Sequence, residues 1–162
     1  MKCQVNKFIT LSEMKDDLAD YRSWVRANPS KSFSFFDYIH AKINFDNVSA
    51  DLGVAVMSLC WPSFKQVEDC IFLAENLTPE RHLAFNTSRL SDAELFINLV
   101  NVSELFPSLS LDIQNSFAAQ LAKVWKVKLS LDFPEKVFSV KNFVDGGSVY
   151  CAFHQSGGGR KS

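Results

Sequence analysis

Residues 137–154 read VFSVKNFVDGGSVYCAFH, two apolar segments on either side of Asp145-Gly146-Gly147-Ser148. Glycine supplies the positive φ that a tight hairpin turn requires, so this stretch predicts a β-hairpin. Val149, Cys151 and Phe153 alternate along the second strand and share one face. Antiparallel strands are therefore expected at the C-terminal end of the domain.

A long helix is predicted before the hairpin, over residues 112–131. Apolar side chains recur there at helical spacing, while Gln114, Gln120 and Lys123 fall on the opposite side and are expected to face water. The apolar set is Ile113, Phe117, Leu121 and Val124.

Two further helices are predicted near the N-terminus. A helix over residues 11–27 follows from a capping box formed by Thr10 and Glu13. A shorter helix begins after Ser34, which can cap it together with Asp37, and on it Phe36, Ile39 and Ile43 share a face.

The middle of the chain predicts a buried helix, a buried strand and two short helices. Residues 49–59 are apolar nearly all round, which indicates a central helix surrounded by other elements. The segment from Cys70 to Leu73 is interpreted as a buried strand. Helix starts are predicted at Thr78 and at Ser91, the latter leading into Leu95, Leu99 and Val102 at helical spacing.

Together these elements predict an α+β fold with five or six helices packed on a small, mainly antiparallel sheet. The sheet is expected to combine the strand at Cys70 with the C-terminal hairpin. A length of 162 residues and an apolar share of 47% fit one domain, assigned to residues 1–155, followed by a flexible tail over residues 156–162.

Charge and hydropathy limit the classes of partner and the location. The chain has 17 basic and 18 acidic residues, so nothing in its net charge attracts nucleic acid or anionic lipid. No apolar run reaches the length of a membrane span, and no secretion signal is evident. We therefore expect a cytoplasmic protein with neither a nucleic-acid nor a membrane partner.

Motifs that carry catalytic or cofactor chemistry are missing from the sequence. There is no phosphate loop, nucleophile elbow, zinc-protease motif or dinucleotide fingerprint, so neither a cofactor nor a metal site is predicted. The four cysteines are expected to be reduced and mostly buried. A hydrolase or transferase site would have to assemble from distant residues such as Asp37, His40 and Cys60, with Cys151, His82 and His154 as further candidates.

Aromatic residues are the most unusual feature of the composition, with fifteen phenylalanines in the chain. Phe33, Phe35 and Phe36 lie within four positions and cannot all point into one core from one short helix, so at least one is a candidate for an interface. Trp61 and Phe64 bracket Pro62, and we interpret them as a plug at the end of the core, with a rigid knob for a partner as the alternative.

Two parts of the chain carry a resemblance to a known family. Residues 59–64 (LCWPSF), 70–75 and 98–106, with residues 124–129, 132–134 and the closing strands, resemble a family of small bacterial proteins without an assigned activity. Members of that family carry histidine where this chain has Asn98 and Asn101, so no metal or acid–base role transfers to that segment. The resemblance implies a bacterial, cytosolic, stand-alone domain.

The function expected from these features is a non-enzymatic protein-interaction domain. An immunity protein that binds and occludes a toxin or effector fits a small aromatic-rich domain without site chemistry. The alternatives are a small hydrolase or transferase, which predicts a deep pocket, and a homodimeric module that uses residues 33–36.

Overall fold

The structure, a computed structural model, describes residues 14–29, 31–79 and 90–156. Those ranges contain six α-helices and five strands, and they confirm the α+β class and the C-terminal hairpin. The helices are α1 (Ala19–Ala27), α2 (Phe35–Asn44), α3 (Ala50–Cys60), α4 (Leu90–Ile97), α5 (Val102–Leu105) and α6 (Leu111–Asp132). The strands are β1 (Phe64–Val67), β2 (Cys70–Leu73), β3 (Leu99–Asn101), β4 (Phe138–Asp145) and β5 (Ser148–Gln155).

The described residues divide into two compact units. The N-terminal unit ends at Val56 and the C-terminal unit begins at Met57. The assignment of residues 1–155 to one domain stays a prediction. Most of the predicted tail, residues 157–162, lies outside the described residues.

The strands form two antiparallel sheets, and the prediction of one sheet is wrong. In the larger sheet β5 lies between β3 and β4. The strand at Cys70 is buried as predicted, but β2 pairs with β1, with Phe64 opposite Leu73 and Val67 opposite Cys70. The turn between β1 and β2 contains Glu68 at a φ of 52°. No glycine marks this turn, which is why the sequence did not reveal the short hairpin.

The core of the C-terminal unit forms where α6 packs on β4 and β5. Trp125 is fully buried; its ring meets Phe153 edge-on at 6.0 Å, and its Nε1–H donates to the carbonyl of Leu59 at 2.8 Å. The prediction that Gln114 faces water is wrong. Its side chain is buried, and its Nε2 donates to the carbonyls of Phe106 and Leu109 at 2.9 Å each. These bonds give both carbonyl groups of the loop before α6 a hydrogen-bond donor.

Helix α4 and the residue that follows it supply two buried polar side chains, Glu94 and Asn98, that complete the backbone pairing of β2. Asn98 donates from Nδ2 to the carbonyl of Ile71 at 2.7 Å and accepts from the N–H of Leu73 at 2.8 Å. Glu94 accepts from the N–H of Ile71 and, through its other oxygen, from the N–H of Gln155, both at 3.2 Å. These side chains replace a neighbouring strand along the edge of β2 that faces away from β1, so buried peptide groups there are paired.

The prediction of a helix that runs from Ser91 through Leu99 to Val102 is wrong beyond Ile97, where the helix ends. Leu99–Asn101 is strand β3, paired with Tyr150–Ala152 of β5. Leu99 and Val102 have helical spacing by coincidence, because the pairing partner of this strand lies about 50 residues away and leaves no local signal.

Two N-terminal helices also differ from their predictions. Residues 15–17 form a short 3₁₀ turn, the chain is extended at Leu18, and α1 starts at Ala19; the predicted cap at Thr10 and Glu13 lies outside the described residues. Helix α3 is not surrounded as predicted. It has no buried residue, and Leu52, Val54 and Met57 are exposed; the space around Gly53 is open among the described residues.

Candidate functional site

The strongest site feature in the N-terminal unit is a cluster of aromatic rings between α1 and α2. Tyr21 of α1 meets Phe35 at 5.1 Å and Tyr38 at 5.2 Å, both nearly perpendicular. Trp24 of α1 contacts Phe33 at 5.1 Å and Tyr38 at 5.6 Å. We call these five residues the aromatic cluster. Edge-to-face contacts of this kind fix the ring orientations and therefore the rotation of α2 about its own axis.

Polar groups fix the same pair of helices. The hydroxyl of Tyr38 donates to Asp20 Oδ2 at 2.9 Å, and Lys42 Nζ contacts the same oxygen at 2.7 Å and Asp46 at 2.6 Å. The hydrogen bond from Lys42 lowers the pKa of Asp20. Burial, and then the bond to Asp20, raise the pKa of Tyr38 to about 12. Near neutral pH, Asp20 is therefore ionised and Tyr38 is neutral, and the hydrogen bond between them is kept.

The start of α2 follows its sequence prediction. Ser34 Oγ accepts from the N–H of Asp37 at 3.2 Å, and the N–H of Ser34 donates to Asp37 Oδ2 at 2.7 Å, which is a complete capping box. The backbone bond from Ser34 lowers the pKa of Asp37. This carboxylate caps a helix and is a poor general base.

The outer side of α2 carries the stripe that the sequence singled out. Phe36, Ile39 and Ile43 share a face as predicted, but that face is exposed, with Phe36 at 80% exposure. We call these three residues the α2 stripe. Half-buried Phe35 and Tyr38 lie on the inner side instead, because Tyr21 and Trp24 of α1 offer them aromatic partners.

The five candidate interaction residues therefore separate by environment. Phe33 and Phe35 pack in the aromatic cluster, and Phe36 stands free of it. Sequence reasoning named Phe36 but passed over Ile39 and Ile43 as interaction residues, because an apolar stripe on an amphipathic helix normally marks a core. The signal that could have identified them is the crowding of aromatic residues at positions 33, 35 and 38.

In the C-terminal unit, Trp61 and Phe64 were predicted to plug the end of the core, and the structure places them in different environments. Phe64 is half-buried and meets Phe153 at 5.4 Å, so it plugs the core as predicted. Trp61 does not; it is 46% exposed, and Lys128 Nζ lies 5.6 Å from the centre of its ring. Lys128 also pairs with Asp132, so this cation already has partners within the chain.

Burial works against activation of the described cysteine thiols. Burial raises the pKa of Cys60, and it raises the pKa of Cys151 to about 12, so burial favours the protonated form of both thiols over the thiolate. Burial, followed by nearby carboxylates, raises the pKa of Cys70. All three are free thiols, two of them half-buried, while Cys3 and His82 lie outside the described residues.

Of the two described histidines, His40 lies near enough to Asp37 for its charge to help the backbone bond from Ser34 lower the pKa of that carboxylate. His40 is exposed and contacts the ring of Phe45 at 6.0 Å. The Nδ1 atom of His154 is buried and forms no hydrogen bond with the described part of the chain. Within the described ranges, no group of three or more ligand-type side chains could hold a metal ion. Asn98 and Asn101 bond to backbone, Asn101 by capping α5 through the N–H groups of Ser103 and Glu104.

The comparisons with known proteins add no relative. No family model, curated protein or solved structure matches the chain, and the resemblance to small bacterial proteins stays a prediction. In the described part of the chain, no helix has the length and apolar character needed to cross a bilayer.

Proposed function

We propose that the protein is a non-enzymatic protein-interaction domain that presents helix α2 to a groove on a protein partner. The observation that carries this proposal is the outward orientation of the α2 stripe. An amphipathic helix normally buries its apolar face, whereas Phe36, Ile39 and Ile43 are all exposed.

The spacing of the stripe matches the way helices enter grooves. Phe36, Ile39 and Ile43 occupy positions i, i+3 and i+7, which form one row along a helix. Anchors at this spacing are the recurrent feature of helix-in-groove recognition, where a few large side chains supply most of the binding energy. An apolar groove that accepts one aromatic and two β-branched side chains is the expected counterpart.

The inner side of α2 supports the same function by holding the helix still. The aromatic cluster and the bonds of Asp20 with Tyr38 and Lys42 fix α2 against α1. A helix that is already ordered loses less conformational entropy on binding than a disordered peptide does. The arrangement therefore favours a stoichiometric, preorganised contact.

The partner class proposed first is a bacterial toxin or effector, which would make this chain an immunity protein of the cytoplasm. Occlusion of another protein needs an exposed complementary surface and no catalytic group, and the α2 stripe meets that requirement. The nearly balanced charge of the chain, 17 basic to 18 acidic residues, supports a protein partner over nucleic acid.

The test is affinity capture from bacterial lysate with the full chain and two matched variants. Phe36→Ala removes the main anchor of the stripe, and Phe96→Ala removes an equally exposed phenylalanine, at 78% exposure, from helix α4. Both variants are first checked for unchanged circular dichroism and unfolding midpoint. We expect one stoichiometric partner that is lost with Phe36→Ala and kept with Phe96→Ala.

Two results would contradict the proposal. A partner retained equally by both variants would place binding on another surface. A chain that captures no protein but turns over substrates in a hydrolase screen would favour the enzyme alternative, and Cys60→Ala would then be the next variant.

A further inference from the structure

Strand β4 forms one edge of the larger sheet. It pairs with β5 along its whole length, from Phe138 opposite Gln155 to Asp145 opposite Ser148, and no described strand lies on its other side. An edge strand of eight residues leaves a row of peptide groups free to pair with another strand. This edge is separate from the α2 stripe and does not depend on the proposed function.

The outward-pointing peptide groups of β4 can be assigned from the pairing pattern. Hydrogen-bonded and non-hydrogen-bonded pairs alternate along antiparallel strands. The N–H of Ser156 donates to the carbonyl of Val137 at 2.7 Å, so Val137 and every second residue after it bond toward β5. The peptide groups of Val140, Asn142 and Val144 therefore point away from β5, and no described residue pairs with them.

Charges on β4 select one way for two copies of the strand to meet. Lys141, Phe143 and Asp145 lie on one face of the strand. If two copies pair antiparallel about a two-fold axis at Phe143, each Lys141 stands opposite the Asp145 of the other copy. In the same register Asn142 and Val144 of the two copies face each other, and these are residues whose peptide groups point outward. The register that pairs the outward-pointing peptide groups is therefore also the register that pairs opposite charges.

We propose that two copies of this chain form a symmetric dimer by antiparallel pairing of their β4 edges, centred on Phe143. A lysine on an edge strand usually discourages pairing. Here Lys141 excludes the register that places it on the axis, where two lysines would meet, and favours the one in which it meets Asp145. The interface is isologous, so each copy supplies the lysine of one ion pair and the aspartate of the other.

A charge-reversal cycle tests the dimer on the full chain. Sedimentation equilibrium is measured for the wild type, Lys141→Asp, Asp145→Lys and the variant with both changes. Each single reversal places like charges opposite each other twice and is expected to weaken dimerisation roughly tenfold. The double reversal restores opposite charges and is expected to restore the dimer. Lys65→Asp, at an exposed position of β1, is the matched control and is expected to leave dimerisation unchanged.

A second measurement keeps the proposal testable if a reversal disturbs the hairpin turn. The amides of Asn142 and Val144 are expected to exchange with solvent quickly in dilute solution and slowly at high protein concentration. The amide of Phe143, which bonds toward β5, is protected at both concentrations. A chain that is monomeric at every concentration, a double reversal that fails to restore dimerisation, or exchange at Val144 that ignores concentration overturns the proposal.

Discussion

The two units of the molecule use similar apolar sequences in opposite ways. Among the described residues, every buried apolar side chain except Met14 belongs to the C-terminal unit. In the N-terminal unit, helix α2 and residues 50–56 of α3 bury no residue, although residues 49–59 form one of the most apolar stretches in the chain. Apolar composition therefore does not determine burial here.

Burial differs between the two units because helices α6 and α2 pack against different kinds of structure. Helix α6 lies on a sheet, whose flat face buries a continuous set of side chains that includes Trp125 and Leu129. Among the described residues, helix α2 contacts helix α1 through the aromatic cluster, which occupies one side of α2. We therefore expect stability to reside mainly in the C-terminal unit, while the N-terminal unit leaves large apolar side chains exposed.

The largest expected effect is that of Trp125→Ala. The change removes a fully buried ring, its edge contact with Phe153 and a hydrogen bond to Leu59, so we expect a loss of about 3–5 kcal/mol in the free energy of unfolding. Urea unfolding followed by circular dichroism measures it. Phe96→Ala, at an exposed position, should change the midpoint little; a similar loss in both variants would refute the assignment of the core.

The sequence predicted the parts of this fold that depend on neighbours in the chain. The capping box of Ser34 and Asp37 and the glycine turn after Asp145 are local interactions, and both are present. The extent of α6 was also predicted to within one residue at each end, because its period is set by the helix itself. The exposed state of Phe36 follows the argument that three crowded phenylalanines cannot share one core.

Features that depend on distant residues could not be predicted. Strand β3 has the spacing of a helix, and only its pairing with β5 makes it a strand. Gln114 has the polarity of a surface residue, but the carbonyls of Phe106 and Leu109 need its amide. The α2 stripe was correctly grouped, yet the rings of α1 decide which side of α2 faces inward. In each case the sequence specifies a preference, and a partner elsewhere determines the outcome.

The second prediction concerns polar support in the same unit. Asn98→Ala leaves the carbonyl of Ile71 and the N–H of Leu73 without their partners in a buried place. Each unpaired group is expected to cost about 1–3 kcal/mol. Chemical denaturation measures the loss, with Asn101→Ala as the matched variant, since removal of a helix cap usually costs about 0.5–2 kcal/mol. If Asn98→Ala proves the milder change, side-chain pairing of β2 is unimportant.

A third prediction uses the buried thiol of Cys151. Its pKa is raised from 9.0 to about 12 by burial, so the native state holds the thiol proton more tightly than the unfolded chain does. This contribution to stability is complete below pH 9.0 and declines as the pH rises toward about 12. Unfolding midpoints across that range should fall more steeply for the wild type than for Cys151→Ala. Parallel curves would show that Cys151 is not buried in the native state.

The smallest effects come from the N-terminal unit, and their order tests the orientation of α2. Phe36→Ala is expected to leave the free energy of unfolding within about 0.5 kcal/mol, because the ring is exposed and alanine favours a helix. Phe35→Ala removes a ring contact with Tyr21 at 5.1 Å, and such pairs contribute about 0.5–1.5 kcal/mol beyond their buried area. Near-ultraviolet circular dichroism and thermal unfolding should therefore respond to Phe35 and not to Phe36.

The reverse order would return α2 to the orientation that helical periodicity alone favours, with Phe36, Ile39 and Ile43 facing inward. The α2 stripe would then be a core, and the proposed binding surface would disappear with it. The expected order leaves Phe36, at 80% exposure, with little role in folding. An exposed large apolar side chain is costly in water, and the proposed contact with a protein partner would cover it.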